Sequence, residues 1–404
     1  MLKLTRYLIL LLILLLSACT TVGPKGGTTT PTREIDVAEN EAAEIVATIT
    51  PELSRTLPSF TPTATVTIQG PTPTLPPATY FQFEPGINPL TGLPVVDREN
   101  LDRRPVMVKV SNWPREGRPH AGLTRADMVF EYFIGHQMNR FLAVYYGTDS
   151  DVIGPVRSGR LVDAQLVNFY QGILGYGDAD PQVDEVLIEV LGNRAIGFIG
   201  TPCPAMCGEA THSATGVYAN SSALLEFAVS QGVDNQPPDL RGMYFEEDFD
   251  SMDAAGSLLH VEYADFSVMQ WRYEPLAGKY HLWMEAELED RLDLAPMTDR
   301  NSGASVLFDN IIVMYAEYIE YAPSLHDVVL NGATGYQPAL LFRDGGVVYG
   351  LWRTPEPDRP IIFETPENEP MPLKPGKTWV VIVGMNSQTS QLPGGEWEIY
   401  FDLP

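Results

Sequence analysis

The stretch DMVFEYFIGHQMNRFLAVYY, residues 127–146, decides the fold of this chain. It holds two runs of apolar and aromatic residues, 127–134 and 140–146, with Gly135 in the short segment between them. Such residues are enriched in strands, and a short connection with a glycine is typical of a hairpin. We therefore predict two strands joined by a loop over residues 135–139.

The segments around this hairpin mix further strands with helices. Residues 105–111 form a short β-rich run between turn residues, and residues 171–177 form another run that ends in glycines. Apolar residues at helical spacing predict helices at residues 158–170, 184–191 and 221–231. This half of the chain predicts an α/β domain, which we place at residues 85–235.

The second half consists mostly of alternating apolar and polar segments. Glycine-containing turns separate them, a pattern typical of antiparallel sheets. The predicted strands lie at residues 260–263, 268–273, 280–284, 305–315, 347–352 and 378–383. The predicted fold class is α+β: an N-terminal α/β domain followed by a mostly antiparallel β C-terminal domain at residues 255–404.

The N-terminus has the organisation of a lipoprotein signal peptide. Lys3 and Arg6 precede an apolar run over residues 7–16, which is too short to span a bilayer comfortably. The sequence Leu16-Ser17-Ala18-Cys19 follows, and small residues before a cysteine are typical of a lipobox. We predict a signal peptide at residues 1–19 and acylation of Cys19, for example with palmitate. An uncleaved anchor or an ordinary secretory signal is the alternative.

A Thr- and Pro-rich segment follows at residues 20–84. It has too few apolar residues to bury a core, and its prolines favour an extended chain. We predict a disordered linker that joins a lipid anchor in the cell membrane to a folded region on the extracytoplasmic side.

The charge balance excludes one class of partner. The chain has 26 Lys and Arg residues against 52 Asp and Glu residues, a formal net charge of −26. Such a surface repels a phosphate backbone, so we predict no binding to nucleic acid. The sequence also lacks a P-loop, a dinucleotide fingerprint and a His-Glu-x-x-His motif, and we predict neither a cofactor nor a metal.

Two cysteines, Cys203 and Cys207, lie close together in the first half. In an oxidising compartment this spacing predicts a disulfide. A zinc site that includes His212, or two free thiols, are the alternatives.

Several motifs recur along the folded region. They are NPLTGL at residues 88–93, RPHAGLTRAD at 118–127, NRFL at 139–142, IGPVRSGR at 153–160 and PGKTW at 375–379. Together they resemble the YerB-like bacterial lipoproteins, a family of unknown function, over nearly all of residues 88–404. The resemblance implies a two-domain envelope lipoprotein and no particular reaction. The chain departs from the family pattern at residues 176–180 and at Ser213.

The motif Gly154-Pro-Val-Arg-Ser-Gly-Arg160 is the densest candidate for a binding site. Arginine side chains bind carboxylates or phosphates through two parallel hydrogen bonds, and a helix N-terminus offers free N–H groups. The predicted anion-binding residues are Arg118, Arg140, Arg157, Ser158 and Arg160. The alternative is that these arginines pair with Asp127, Glu131 or Asp163 and stabilise the domain.

The sequence also contains candidate catalytic residues, but no complete catalytic motif. Asp178, Asp180 and Glu131 are candidates for a carboxylate pair, and His212 is a candidate for a catalytic base. A serine hydrolase would need Ser158 or Ser213 with His212 or His120, but the chain has no Gly-x-Ser-x-Gly motif.

Trp271 and Tyr273 alternate along a predicted strand and therefore share a face. That face could stack on sugar rings if it is open, or belong to the core.

The leading hypothesis is a non-enzymatic envelope protein that binds an anionic cell-wall polymer, another anionic ligand or a partner protein. The alternatives are a hydrolase or transferase acting on envelope polymers, and a purely structural spacer.

Overall fold

The structure is a computed structural model that describes residues 78–208, 215–288, 291–332 and 335–403. The side chains of residues 287, 288, 291 and 292 are not described. The predicted signal peptide with Cys19, most of the predicted linker, His212 and Ser213 lie outside the described residues.

Strands form most of the regular structure in the described residues. They are β1 (Val106–Ser111), β2 (Met128–Gly135), β3 (Met138–Tyr145), β4 (Ile173–Tyr176), β5 (Ala195–Gly197), β6 (Met206–Gly208), β7 (Val217–Ala219), β8 (Tyr244–Phe245), β9 (Ala254–Ala255), β10 (Leu258–Ala264), β11 (Ser267–Glu274), β12 (Lys279–Leu288), β13 (Arg291–Pro296), β14 (Leu307–Phe308), β15 (Asn310–Ala322), β16 (Leu325–Val329), β17 (Gln337–Arg343), β18 (Gly346–Arg353), β19 (Ile362–Glu364), β20 (Pro372–Leu373), β21 (Thr378–Gly384), β22 (Gln388–Leu392) and β23 (Glu396–Tyr400).

Helices are fewer and short. The α-helices are α1 (Leu161–Phe169), α2 (Pro181–Leu191) and α3 (Ser221–Ser230), and short 3-10 helices lie at Arg98–Leu101, Arg115–Gly117, Leu123–Arg125 and Gly192–Arg194. Within the described residues, no helix combines the length and the apolar character needed to cross a membrane.

The hairpin β2–β3 lies in the middle of a twelve-stranded main sheet. Ten of its strands follow the order β19-β18-β17-β15-β21-β2-β3-β1-β4-β5, while β16 pairs with β15 and β9 pairs with β18. Strand β2 pairs in parallel with β21, which in turn pairs in parallel with β15. All six residues of β1 and all eight of β2 are buried, as expected for central strands covered on both faces.

A second, seven-stranded sheet has the order β13-β12-β11-β10-β23-β22, with β14 paired to β12. It packs on one face of the main sheet through aromatic residues. The rings of Trp271 on β11 and Trp379 on β21 are 4.9 Å apart, and Phe141 on β3 lies 5.0 Å from Trp379. Trp271 is fully buried, so it is part of the core and is not available to stack on a sugar.

The helix α1 covers the opposite face of β2. Phe130 faces Tyr170, just after α1, with the rings 5.5 Å apart, and the Tyr132 hydroxyl contacts Asp163 inside α1. Glu131 points the other way and accepts a 2.7 Å hydrogen bond from Trp379. Successive side chains of β2 therefore alternate between the helix face and the face of the second sheet.

The mixed, sheet-rich fold agrees with the sequence analysis, but a separate N-terminal α/β domain is not observed. Strands β15, β17, β18 and β21 come from the second half of the chain and continue the same sheet as β1–β5. The predicted boundary between residues 235 and 255 therefore divides the sequence but not the main sheet. The sequence pattern did not reveal this because a buried strand carries no mark of its partner strand.

Candidate functional site

The predicted arginine motif forms a loop that extends the main sheet beside β1. Strand β4 pairs only with the first three residues of β1, Val106 to Val108. Beyond that point the loop takes its place: the Ser111 N–H donates to the Pro155 carbonyl at 2.8 Å, and the Arg157 N–H donates to the Lys109 carbonyl at 2.9 Å. These bonds place the motif along the edge of β1 that faces away from β3.

Arg140 reaches this loop from β3. It lies opposite Ser111 of β1 and Tyr132 of β2 in the sheet register. The residue is only 7% exposed, and its Nη1 donates a 2.7 Å hydrogen bond to the carbonyl oxygen of Ser158. Ser158 thus contributes its backbone carbonyl, and this contact places Arg140 beside the stretch that carries Arg157 and Arg160.

The side chains of Arg157 and Arg160 are partly buried and have few partners. The Nε atoms of both are buried without a hydrogen bond. Arg160 donates from Nη1 to the neighbouring Gly159 carbonyl at 2.7 Å. Among the described residues, Arg103, Arg118 and Arg353 each form an ion pair within 4.0 Å, whereas Arg140, Arg157 and Arg160 form none. We call Arg140, Arg157 and Arg160 the arginine cluster.

The carboxylates that could have neutralised the cluster have other partners. Asp127 accepts hydrogen bonds from Asn88 and from the N–H groups of Tyr146 and Gly147. Glu131, on the opposite face of β2, accepts from Asn139 and Trp379.

Asp163 is closer to the cluster, but its side chain serves other groups. One oxygen lies 3.2 Å from the Lys109 Nζ and also accepts from the Tyr132 hydroxyl. The other accepts the backbone N–H of Arg160 at 2.7 Å. The structural alternative, pairing of these arginines with Asp127, Glu131 or Asp163, is therefore not observed.

The pKa values of the clustered arginines are consistent with the absence of a carboxylate partner. The pKa of Arg140 is held well below its usual range, first by burial and then by the positive charges of Arg160 and Arg157. The pKa of Arg157 is lowered for the same reasons, burial and then Arg160. The cluster is therefore a local concentration of positive charge in a chain whose formal net charge is −26.

Lys109 is a neighbour of the cluster that the sequence analysis missed. It is fully buried, its Nζ contacts the Tyr132 hydroxyl and Asp163, and burial lowers its pKa to about 7. The sequence feature that could have identified Lys109 is its position as a single lysine in the apolar run VMVKVS. A lysine this deeply buried needs a charged partner.

The N-terminus of α1 is not free, contrary to the expectation from sequence. Both carboxylate oxygens of Asp327, on β16, accept the N–H of Val162 at 3.0 Å. Because this carboxylate already occupies the helix end, any anion would have to bind through the arginine side chains.

Arg118 belongs to a different place, which corrects its predicted membership of the site. Its Nη2 lies 2.8 Å from Oε1 of Glu285, and its Nη1 donates to the Glu285 carbonyl at 2.7 Å. The pair lies at a cavity of about 410 Å³ that Arg115 and Met297 also line. Burial raises the pKa of Glu285 and lowers that of Arg118, while the charge of each partner opposes these shifts.

The weak catalytic candidates do not come together in the described residues. Asp178 and Asp180 are exposed; Asp178 accepts the N–H of Ala179, and Asp180 caps α2 by accepting the N–H of Gln182 at 3.0 Å. His120 is buried with Nε2 2.9 Å from the Ser111 carbonyl, and burial lowers its pKa to about 3. No group of three or more potential metal-binding side chains occurs among the described residues.

Cys203 and Cys207 are joined by a disulfide in the structure, with their Cα atoms 4.7 Å apart. Both sulfurs are therefore unavailable as zinc ligands in this state.

Models of known protein families match the chain in two separate regions. Residues 90–224 match the N-terminal domain, and residues 259–380 the C-terminal domain, of a family described as a protein of unknown function, DUF3048. The chain belongs to the DUF3048 family. All three residues of the arginine cluster lie in its N-terminal domain, and Asp327 lies in its C-terminal domain.

Known relatives connect this DUF3048 protein with the family predicted from its motifs. A Bacillus subtilis (strain 168) protein named "Putative lipoprotein YerB" is 26% identical over 301 residues, which is 73% of this chain and 85% of the relative. The crystal structure of the YerB protein from Bacillus subtilis matches with a TM-score of 0.60 at 24% identity, covering 73% of this chain and 96% of that one. The resemblance to YerB-like proteins is thereby confirmed.

Proposed function

We propose that this chain is a lipid-anchored, extracytoplasmic protein that binds an anionic ligand of the cell envelope through Arg140, Arg157 and Arg160. The observation that carries the proposal is that three arginines share one corner of the fold without a carboxylate partner. Removing a charge from water is costly unless an opposite charge accompanies it. The partial burial of these arginines therefore costs free energy, and the negative charge of a bound ligand would offset that cost.

The location part of the proposal has separate support. Cys19 follows small residues after a short apolar run, and a relative over most of the folded region is named as a lipoprotein. A lipid on Cys19 and the Thr- and Pro-rich linker would let the folded region work at a distance from the membrane, near wall polymers and other envelope proteins.

The enzymatic alternative has no specific observation in its favour. Asp178 and Asp180 are exposed, and Asp180 serves as a helix cap. His212 lies outside the described residues.

The proposal is tested by titrating the purified chain with acidic envelope fractions in a calorimeter. We expect saturable binding that is lost in Arg157→Gln and Arg160→Gln, because both side chains are partly buried with unpartnered Nε atoms. Arg98→Ala is the matched control, since Arg98 is an exposed arginine outside the cluster. Binding that survives both cluster variants, or the absence of binding to every acidic fraction, would contradict the proposal.

A further inference from the structure

We infer that the anionic group bound by the arginine cluster is a phosphate, either a phosphomonoester or a diphosphate, and not a carboxylate. The inference rests on the proposed function, because it assumes that the cluster binds an anion. Its basis is the placement of three arginines from two neighbouring chain segments, next to a lysine and a helix end that already contact carboxylates.

The first argument is the arrangement of the donors. Arg140 approaches from β3 and takes the carbonyl of Ser158, the residue after Arg157. Arg160 lies two residues further on and is bonded to Asp163 through its backbone N–H. Arg140 and Arg160 donate to the consecutive carbonyls of Ser158 and Gly159, which places their guanidinium groups close together, and Arg157 and Arg160 keep a buried, unpartnered Nε.

Such an arrangement suits a tetrahedral acceptor. A carboxylate offers two oxygens in one plane, which one arginine fork can occupy completely. A terminal phosphate offers three oxygens in three directions, so that three guanidinium groups can bind it at once.

The second argument is the balance of charge. The Lys109 Nζ lies 3.2 Å from Asp163, whose charge also acts on Arg140, and the end of α1 is offset by Asp327. The three arginine charges exceed the single negative charge of Asp163. A carboxylate brings one negative charge, whereas a phosphomonoester brings about −1.5 to −2 at pH 7 and a diphosphate brings more.

The surroundings favour a compact group over an extended polyanion. Asp178 and Asp180 are exposed in the segment after β4, and the Gly159 N–H between Arg157 and Arg160 donates to the Asp178 carbonyl at 2.8 Å. The backbone of the acidic segment 178–180 therefore adjoins the cluster, and its exposed carboxylates would repel neighbouring charges of a long acidic chain. A single terminal phosphate or diphosphate avoids that repulsion.

The second half of the chain also contributes to this corner. The phenol of Tyr321, at the end of β15, is partly buried and close enough to Arg160 and Arg140 for their charges to act on it. The end of β15 pairs with β16, which carries Asp327 at the start of α1, so the fold holds Tyr321 on this side of the molecule. A phenol hydroxyl donates to phosphate oxygens, which makes Tyr321 a candidate additional donor.

The experiment is calorimetric titration of the full chain with pyrophosphate, inorganic phosphate, citrate and acetate. Pyrophosphate and citrate carry similar charge near neutral pH, so the comparison separates phosphate from carboxylate. We expect pyrophosphate to bind at least tenfold more tightly than citrate, and Arg157→Gln to weaken its binding at least tenfold. Arg157→Lys, which keeps the charge but loses the fork, should also weaken binding, and Arg98→Ala should not.

The outcomes distinguish this inference from the proposed function. Citrate binding as tight as pyrophosphate, or Arg157-dependent binding of an acidic fraction without any binding of pyrophosphate or phosphate, would overturn the phosphate assignment and leave the proposed function standing. If no acidic fraction and no probe binds, both fail.

The source of the phosphate is resolved by a second arm. The chain is reconstituted into phosphatidylcholine vesicles with or without phosphatidic acid, and pyrophosphate is titrated again. A pyrophosphate affinity that falls at least tenfold in the phosphatidic acid vesicles assigns the phosphate to a lipid headgroup, whereas an unchanged pyrophosphate affinity assigns it to a soluble compound.

Discussion

Arg118 and Arg157 belong to the same predicted set but have opposite surroundings. Arg118 lies 2.8 Å from a carboxylate oxygen of Glu285, and both side chains are largely buried. Arg157 forms no ion pair within 4.0 Å among the described residues, and its Nε is unpartnered like that of Arg118. Removing one partner of a buried ion pair leaves an uncompensated charge, so the two arginines should respond to substitution in opposite ways.

Glu285→Ala should lower the free energy of unfolding by about 3 kcal/mol or more, because it leaves Arg118 buried without its partner. Chemical denaturation, with Arg98→Ala as the control, measures this. A change below about 0.5 kcal/mol, typical of exposed ion pairs, would show that Arg118 is not held by Glu285.

Glu131 should make stability depend on pH. It is fully buried between the two sheets, and burial raises its pKa to about 8. The folded chain therefore retains a proton that the unfolded chain releases above its ordinary pKa of about 4.3. The stability contributed by the protonated group is fully present at acid pH and is lost as the pH rises through about 8.

Relative to Glu131→Gln, the wild-type free energy of unfolding should fall by about 1.4 kcal/mol per pH unit between pH 5 and 7. Denaturation curves of both proteins over this range give the difference. A difference that does not change with pH would mean that Glu131 is ionised in the folded chain.

At this scale the sequence identified the arginine motif but not the partners of its members. Glu285 is 167 residues from Arg118 along the chain. Nothing in the local pattern distinguishes an arginine with a distant carboxylate from one without, because pairing is decided by tertiary packing.

Among the elements, α1 shows what the spacing of apolar residues predicts and what it does not. Its existence follows from the apolar spacing, and the observed helix, Leu161–Phe169, lies within the predicted range. Its N-terminal partner was not predictable, because Asp327 comes from β16 in the second half of the chain. The sequence therefore suggested a free helix end where the fold supplies a carboxylate.

The disulfide between Cys203 and Cys207 joins the segment before β6 to a residue within β6. A loop this short removes little entropy from the unfolded chain, so replacing both cysteines by serine should cost about 2 kcal/mol. Thiol titration of the denatured, unreduced chain should find neither cysteine reactive, and denaturation of the double variant gives the energy. Two reactive thiols would favour the free-thiol alternative.

For the whole molecule, the main sheet joins both family domains. Met128 to Tyr132 of β2 pair in parallel with Thr378 to Ile382 of β21, so the centre of the sheet contains strands from both ends of the folded region. The sequence predicted most strands but assigned them to two domains, since strand order depends on contacts between distant segments.

A fragment of residues 78–240 should therefore fail to fold alone, because β2 would lose β21 and expose a long apolar edge. Hydrogen exchange and near-ultraviolet circular dichroism of the fragment, compared with the full chain, test this. A fragment with native-like protection in β1–β4 would support the two-domain prediction and contradict this expectation.

The unfolding free energy of Arg157→Gln without ligand tests the central claim most directly. If the cluster exists to bind an anion, Arg157 repels Arg140 and Arg160 in the empty protein, and its removal should stabilise the chain by about 1 kcal/mol. Pyrophosphate should then stabilise the wild type but not the variant. Destabilisation of the empty variant by 1 kcal/mol or more, with no effect of pyrophosphate on either protein, would show that Arg157 is structural.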